Sequence, residues 1–286
     1  MAIEVRALTP VFGAEIVGVD LSIPLDEAQF AVVKEAFEEH SVLLFRDQYI
    51  DDTAQVAFTE LFGPPEAPRK SFVDVHDKPD LLTVANFDGE GNIYETDTAE
   101  SKFRVGQRIW HTDGSFKEFP SIASLLRACI VPPEGGHTQF ASLRAAYNAL
   151  PLEKQREYDN SVAVHHFAHS RRHMDIKFLK PEEEAKYPPM RQPMVRVNPV
   201  NGRKALYVSG YASYIEGMDQ EAGCALLEEL LAFASQDAFV YDHHWAVGDM
   251  VMYDNRASLH RASEYAIGDF PRMLRRTNVA ETTPTM

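Results

Sequence analysis

Short apolar runs, each cut off by a turn signal, recur along most of this sequence. Ser41-Val-Leu-Leu-Phe45, Ile122 to Val131, Met194 to Val197, Leu206 to Ser209, Phe239 to Trp245, Met250 to Tyr253 and Arg276 to Ala280 all read as strands. Pro132-Pro133, Gly135-Gly136, Asn201-Gly202 and Val247-Gly-Asp249 punctuate them, and such residues end strands by fixing or reversing the backbone. Runs this short bury nothing alone. They must pair into sheets, and many of them together predict a mainly β fold, a sandwich or barrel decorated by helices.

The helices have their own signals. Asp26-Glu-Ala-Gln29 is a capping-box start, followed by Phe30, Val33 and Phe37 at helical spacing. Asp52 opens a second helix that Gly63-Pro64-Pro65 stops. Ser142 to Tyr158 reads as helical with a break at Pro151, and Asp219 to Ala234 carries an apolar face of leucines. Gly13 to Asp20 reads as an early strand. The stretch 165–193, rich in His, Lys, Glu and Pro, is expected to be an excursion outside the core. With no fixed-period repeat or long linker, residues 1–286 are expected to form one domain.

Composition excludes several classes. The formal net charge is −15, which argues against nucleic acid or an anionic membrane surface as partner. No apolar run reaches membrane-spanning length, and no apolar leader follows Met1. The two cysteines, Cys129 and Cys224, are no disulfide framework, so a cytoplasmic location is expected. In so acidic a chain, Arg69-Lys70 and the cluster Arg272-Met-Leu-Arg275-Arg276 stand out as basic islands.

The chemistry-bearing residues begin with Trp110-His111-Thr-Asp113. On a strand, residues two apart face the same way, so His111 and Asp113 could reach one metal ion. Alone the pattern is weak, because His173-Met-Asp175 satisfies it too, in a polar stretch read as helical, where such residues do not share a face. A second histidine would complete a two-His, one-carboxylate face, the arrangement that leaves positions open on non-haem Fe(II). His260 follows a buried apolar strand and a polar turn and is the candidate. Twelve residues later, a strand over the basic cluster would put Arg272, Leu274 and Arg276 on one face. Two guanidinium groups on the inner face of a barrel need anionic partners, and a dicarboxylate and an acidic substrate would supply them.

With these residues in hand, the chain resembles the taurine / 2,4-dichlorophenoxyacetate dioxygenase family of Fe(II)- and 2-oxoglutarate-dependent oxygenases. The likeness runs from Phe12-Gly-Ala-Glu-Ile-Val-Gly-Val-Asp-Leu21 through Ser41 to Arg46, Ala57-Phe58, Phe62-Gly-Pro64, Trp110-His-Thr-Asp113 and Gly135-Gly-His-Thr138. It continues with Arg144-Ala-Ala-Tyr147, Gly202-Arg-Lys204, Asp254-Asn-Arg256, His260 and Arg272 to Arg276. The resemblance implies a double-stranded β-helix, the jelly roll of cupin-like barrels. It implies iron bound by His111, Asp113 and His260, with 2-oxoglutarate and O2 as co-substrates and ascorbate sustaining activity. It implies that Arg272, helped by Thr138, grips the distal carboxylate of 2-oxoglutarate, and that Arg276 meets the substrate's anionic group. His137 stands where the family usually has Asp.

The branch acting on aryloxyacetates looks closer than the taurine branch, which points to aromatic catabolism. Hydroxylation beside an ether oxygen then gives a hemiacetal that collapses to a phenol. Arg69 or Lys70 is expected to hold the substrate's carboxylate, within the substrate-facing stretch 66–110. A taurine, alkylsulfonate or other small acid remains open as substrate. So does a cupin-like hydrolase or isomerase built on three histidines and a carboxylate, since His243-His244 lies beside the same strands, although adjacent strand residues face opposite ways. An acidic binding module without catalysis is a further alternative. No Gly-x-Ser-x-Gly elbow is present, and neither cysteine has an evident partner for nucleophilic chemistry. An assembly of two or more copies is expected.

Overall fold

The computed structural model describes residues 3–66, 80–98, 101, 104–172, 185 and 187–283. In chain order the first strands are β1 (Glu4–Ala7), β2 (Ala14–Val17), β3 (Val42–Phe45), β4 (Leu82–Ala85), β5 (Ser121–Ile130) and β6 (Thr138–Ser142). Then follow β7 (Val162–His165), β8 (Met190–Pro193), β9 (Val195–Val197), β10 (Lys204–Leu206) and β11 (Ala212–Ile215). The last are β12 (Val240–His243), β13 (Met250–Asp254), β14 (Ser258–Ala262) and β15 (Met273–Ala280). The helices are α1 (Glu27–His40), α2 (Asp52–Glu60), α3 (Leu143–Ala149), α4 (Leu152–Tyr158) and α5 (Gln220–Ala234).

The fold is mainly β with flanking helices. Seven strands form one sheet in the order β1-β2-β3-β13-β5-β15-β4, and a smaller sheet has the order β12-β6-β14. A third sheet joins β11-β7-β8, and β10 pairs with β9. Between the first two sheets lies a core of Leu44, Leu126, Phe140, Val251, Tyr253 and Leu274. On the other side of the large sheet, Val33 and Phe37 of α1 and Phe58 of α2 pack on Leu43, Phe45, Leu125 and Met252. Alternation along β3, β5 and β13 therefore feeds both faces, which is why Val42 to Phe45 and Met250 to Asp254 are buried at every position.

Local chemistry explains most element ends. The Asp26 carboxylate accepts from Gln29 N, and the Gln29 side chain accepts from Asp26 N, the reciprocal box that the sequence predicts. Ser142 and Asp219 cap α3 and α5. Pro151 separates α3 from α4, as expected.

Three expectations are corrected, and one strand is added. His111 to Asp113 is no strand: His111 makes a single bridge to His260, and the chain turns at Asp113. The pairing strand near Leu206 is Lys204–Leu206, because beyond it Tyr207 and Val208 leave the ladder and pack into the core. The stretch 165–193 is not wholly outside: His165, Phe167, Tyr187 and Gln192 are buried, and β8 pairs with β7. Glu4–Ala7 also pairs as a strand, on the edge of the large sheet, although all four of its side chains are exposed and leave no apolar pattern.

Candidate active site

His111, Asp113 and His260 come together as buried side chains, each offering one donor atom, with all three atoms within 4.8 Å of one another. Backbone geometry enforces the histidine pair. His111 N donates to His260 O at 3.0 Å and His260 N to His111 O at 2.7 Å. This reciprocal bridge extends the small sheet beside β14 and leaves the two imidazole centroids 4.2 Å apart. The one-bridge connection does the work that the sequence assigns to a strand.

The chemistry of the donors fits a metal ion. His111 Nδ1 lies 2.8 Å from Ile109 O. A carbonyl can only accept, so Nδ1 carries the proton and Nε2 keeps its lone pair. Burial, then the neighbouring His111, holds His260 well below the usual histidine range against the opposing pull of Asp113. The His260 ring is therefore a neutral ligand near neutral pH. For Asp113, burial would raise the pKa. The charge of Arg276 foremost, with the neighbouring His260 and His111 and the hydroxyl of Ser124, outweighs it and holds the carboxyl ionised.

Asp113 is also anchored from the large sheet. Ser124 Oγ on β5 donates to its Oδ2 at 2.8 Å, and Tyr253 Oη on β13 donates to the same oxygen at 3.0 Å. Asn255 sits in the turn after β13. Its Oδ1 accepts from Asp113 N at 3.0 Å, and its Nδ2 donates to Ser124 Oγ at 2.9 Å. That turn is pinned by a buried charge group: Arg256 donates to Asp254 Oδ1 through Nε at 2.8 Å and to Oδ2 through Nη2 at 3.0 Å. Glu38 meets Arg256 Nη2 at 3.2 Å. Ser124, Tyr253 and Asn255 were not singled out as functional from the sequence. The available signal was polarity out of place, such as one phenol in the otherwise apolar Met250-Val-Met-Tyr253 run.

Arg276, halfway along β15, gives Nη1 to Asp113 Oδ1 at 3.1 Å. Arg272, just before β15, is buried, with 6% of its surface exposed. Its Nε donates to Gly136 O at 3.1 Å, and its guanidinium lies 5.9 Å from the Tyr265 ring centroid. Among the described residues no carboxylate pairs with it, and burial pulls its pKa down. A buried guanidinium without a counter-ion calls for an anionic ligand. Asn86 fixes the backbone there, accepting from Arg272 N at 2.7 Å and donating to Ile267 O and Phe270 O. Gly136, at φ +66°, packs so closely that a Cβ would lie 2.8 Å from Pro132 Cγ and 3.3 Å from Arg272 Nε. Thr138, two residues on, accepts from Trp245 Nε1 at 2.9 Å, so its own proton is free to be donated elsewhere.

The rival three-histidine centre is not assembled among the described residues. His243 is fully buried, accepting or donating at Tyr241 Oη, 2.9 Å away, and facing Asp249, whereas His244 is exposed. Arg69, Lys70 and the His173-Met-Asp175 pattern lie outside the described residues.

Comparison with known proteins agrees with this geometry. The profile of the family described as taurine catabolism dioxygenase TauD, TfdA family matches residues 4–278. The alpha-ketoglutarate-dependent 2,4-dichlorophenoxyacetate dioxygenase of Cupriavidus pinatubonensis is 35% identical over 98% of both chains. The alpha-ketoglutarate-dependent sulfate ester dioxygenase of Pseudomonas putida is 32% identical over 99% of this chain and 91% of its own. The crystal structure of AAD-2 in complex with Mn(II) and N-oxalylglycine superposes with a TM-score of 0.94 at 37% identity, covering all of both chains. On this match over nearly its whole length, the chain belongs to the TauD, TfdA family of dioxygenases.

Proposed function

We propose that this protein uses Fe(II), 2-oxoglutarate and O2 to oxidise a small aryloxyalkanoate-type acid, releasing a phenol by ether cleavage. The observation that carries the reading is the buried His111, Asp113 and His260 set accompanied by Arg272, a buried cation with no carboxylate partner among the described residues. In this reading His111, Asp113 and His260 hold the iron, and Arg272 with Thr138 binds the distal carboxylate of 2-oxoglutarate. A guanidinium presents paired donors that match a carboxylate, and the Thr138 hydroxyl adds a third, its oxygen already occupied by Trp245. When bound, the iron supplies oxidation of a substrate C–H bond by O2, coupled to conversion of 2-oxoglutarate into succinate and CO2.

The chain's own residues shape the rest. Tyr253 and Ser124 hold Asp113 by one oxygen, and Arg276 neutralises the other. Arg276, together with Arg69 or Lys70, is proposed to meet the acid's carboxylate. An aromatic wall supports an aryl substrate: Tyr211 stands edge-on to His111 with centroids 6.0 Å apart and packs with Phe116, Phe167 and Tyr187. The relative acting on 2,4-dichlorophenoxyacetate favours the same substrate class. The Pseudomonas relative that acts on sulfate esters favours a second reading, an alkylsulfate or alkylsulfonate. Further proposals complete the reading: one domain over residues 1–286 with a jelly-roll core, a homo-oligomer, and a cytoplasmic location in keeping with two free thiols. Among the described residues no helix is long and apolar enough to cross a membrane.

The test is succinate release with Fe(II), ascorbate and a panel of aryloxyacetates, aryloxypropionates, alkylsulfates and taurine. The expected outcome is succinate and phenol in equal amounts with an aryloxyalkanoate, and loss of both by at least about 100-fold in His111→Ala, as removal of a metal ligand implies. Absence of substrate-stimulated succinate, or an unaffected His111→Ala, would overturn it.

A further inference from the structure

The outward face of the small sheet gathers a second set of metal-ligating side chains. Strand β12 pairs with β6 so that His243 lies opposite Thr138. One further step along the same antiparallel register brings His244 opposite His137. Side chains alternate along a strand. His243 is buried, so Asp242 and His244 on either side of it both point outward, and both are exposed. His137 joins them from the neighbouring chain segment.

The resulting geometry is tight. His137 Nδ1 lies 3.6 Å from Asp242 Oδ2, and His244 Nε2 lies 3.7 Å from the same oxygen. The two imidazole centroids are 3.5 Å apart at 38°. One donor atom from each residue falls within 4.8 Å of the other two. Among the described residues no side-chain hydrogen bond engages any of the three, and their closest contacts are the two long ion-pair distances to Asp242. An ion bound by one nitrogen of each ring and by the carboxylate would replace two contacts too long for hydrogen bonds with direct bonds.

We propose that His137, Asp242 and His244 form an exterior binding site for a divalent transition metal of the Zn(II), Ni(II) or Cu(II) class. Two imidazoles and one carboxylate suit those ions, with water completing the coordination, whereas Ca(II) and Mg(II) take oxygen ligands. The site is separate from the buried triad. Its effect is mechanical: His137 lies between Gly136, whose carbonyl holds Arg272, and Thr138, while His244 precedes Trp245, which holds Thr138. A bound ion would clasp the two strands at the place that presents these groups.

Equilibrium dialysis of the metal-free full chain against Zn(II), with bound metal counted by mass spectrometry, tests the site. Two ions are expected per wild-type chain, one in His244→Ala, one in Asp242→Asn, one in His111→Ala, and none in His111→Ala/His244→Ala. Zn(II) should also raise the thermal midpoint of His111→Ala by several degrees and leave that of the double variant unmoved. Stoichiometry unaffected by His244→Ala and Asp242→Asn overturns the proposal. If His111→Ala does not fold, the comparison of wild type with the two exposed-residue variants decides alone. Failure of the catalytic reading looks different: His111→Ala would keep the wild-type stoichiometry while His244→Ala still lost one ion.

Discussion

At Tyr253 a single phenol reaches across a dry core to a carboxylate. Its oxygen lies 3.0 Å from Asp113 Oδ2, and burial together with Asp113's charge keeps it protonated and donating. Tyr253→Phe keeps the ring that packs on Phe140 and removes that hydrogen bond together with the 3.4 Å contact to His260 Nε2. Fe(II) affinity is expected to fall by about 10- to 100-fold, the usual cost of losing a group that orients a ligand, with little change in thermal stability of the metal-free protein. Titration of the apoprotein with Fe(II) under anaerobic conditions measures it, and wild-type affinity would refute the role. Arg272→Lys asks a different question. A lysine keeps the charge and loses both the Nε bond to Gly136 and the planar fork. The apparent KM for 2-oxoglutarate should rise by about 10- to 100-fold, the range of one charge-assisted hydrogen bond, with a smaller effect on kcat. A KM that stays put would remove Arg272 from the co-substrate site. Both arginines of the cluster were legible because charge is costly inside a barrel. The pairing of Arg276 with Asp113 was not, because it joins residues far apart in the chain.

The turn between β13 and β14 shows how an element can hold a metal site to which it gives no ligand. Asp254 is fully buried, held by both nitrogens of the Arg256 fork, and Arg144 Nη2 approaches it at 3.5 Å. Asp254→Ala leaves Arg256 with Glu38 alone, takes a buried carboxylate from Arg144, and should destabilise the fold by about 3–5 kcal/mol. Because Asn255 rides on that turn and binds Asp113 N, iron binding should weaken in the fraction that remains folded. Urea unfolding with and without metal checks both effects, and a loss below about 1 kcal/mol would mean that the turn is held otherwise. Elements whose ends are written in local chemistry were readable in advance, such as the Asp26–Gln29 box and the stop after Ala149 at Pro151. The His111–His260 bridge was not, because its single pairing has no period. Nor was β8, where Met190-Arg-Gln-Pro193 carries no apolar alternation and pairs only because β7 lies beside it.

Across the whole molecule, acid sensitivity concentrates in groups that folding forbids to ionise. His165 is fully buried, neither ring nitrogen has a hydrogen-bond partner among the described residues, and its ring stacks on Tyr207. Burial pushes its pKa down to about 3. The unfolded chain protonates this histidine below about pH 6.5 and the folded protein does not, so stability is fullest above that pH and is lost as pH falls towards 3. The loss should approach about 1.4 kcal/mol per pH unit in the middle of that window. His165→Phe, which keeps a ring against Tyr207, should flatten the slope between pH 6.5 and 5, and equal slopes in urea titrations of the two proteins would exclude it. One feature of the large sheet reaches further. Arg272 and Arg276 stand at the start and the middle of β15, and residues 273–276 are hydrogen-bonded on both edges, to β4 and to β5. Four residues of extended backbone set them about 13 Å apart. Strand β15 is thus a ruler that no loop motion can stretch. On the proposed assignment, a lineage could swap one acidic guest for another by reshaping the walls around it, and the spacing of the two guanidinium groups would never need retuning.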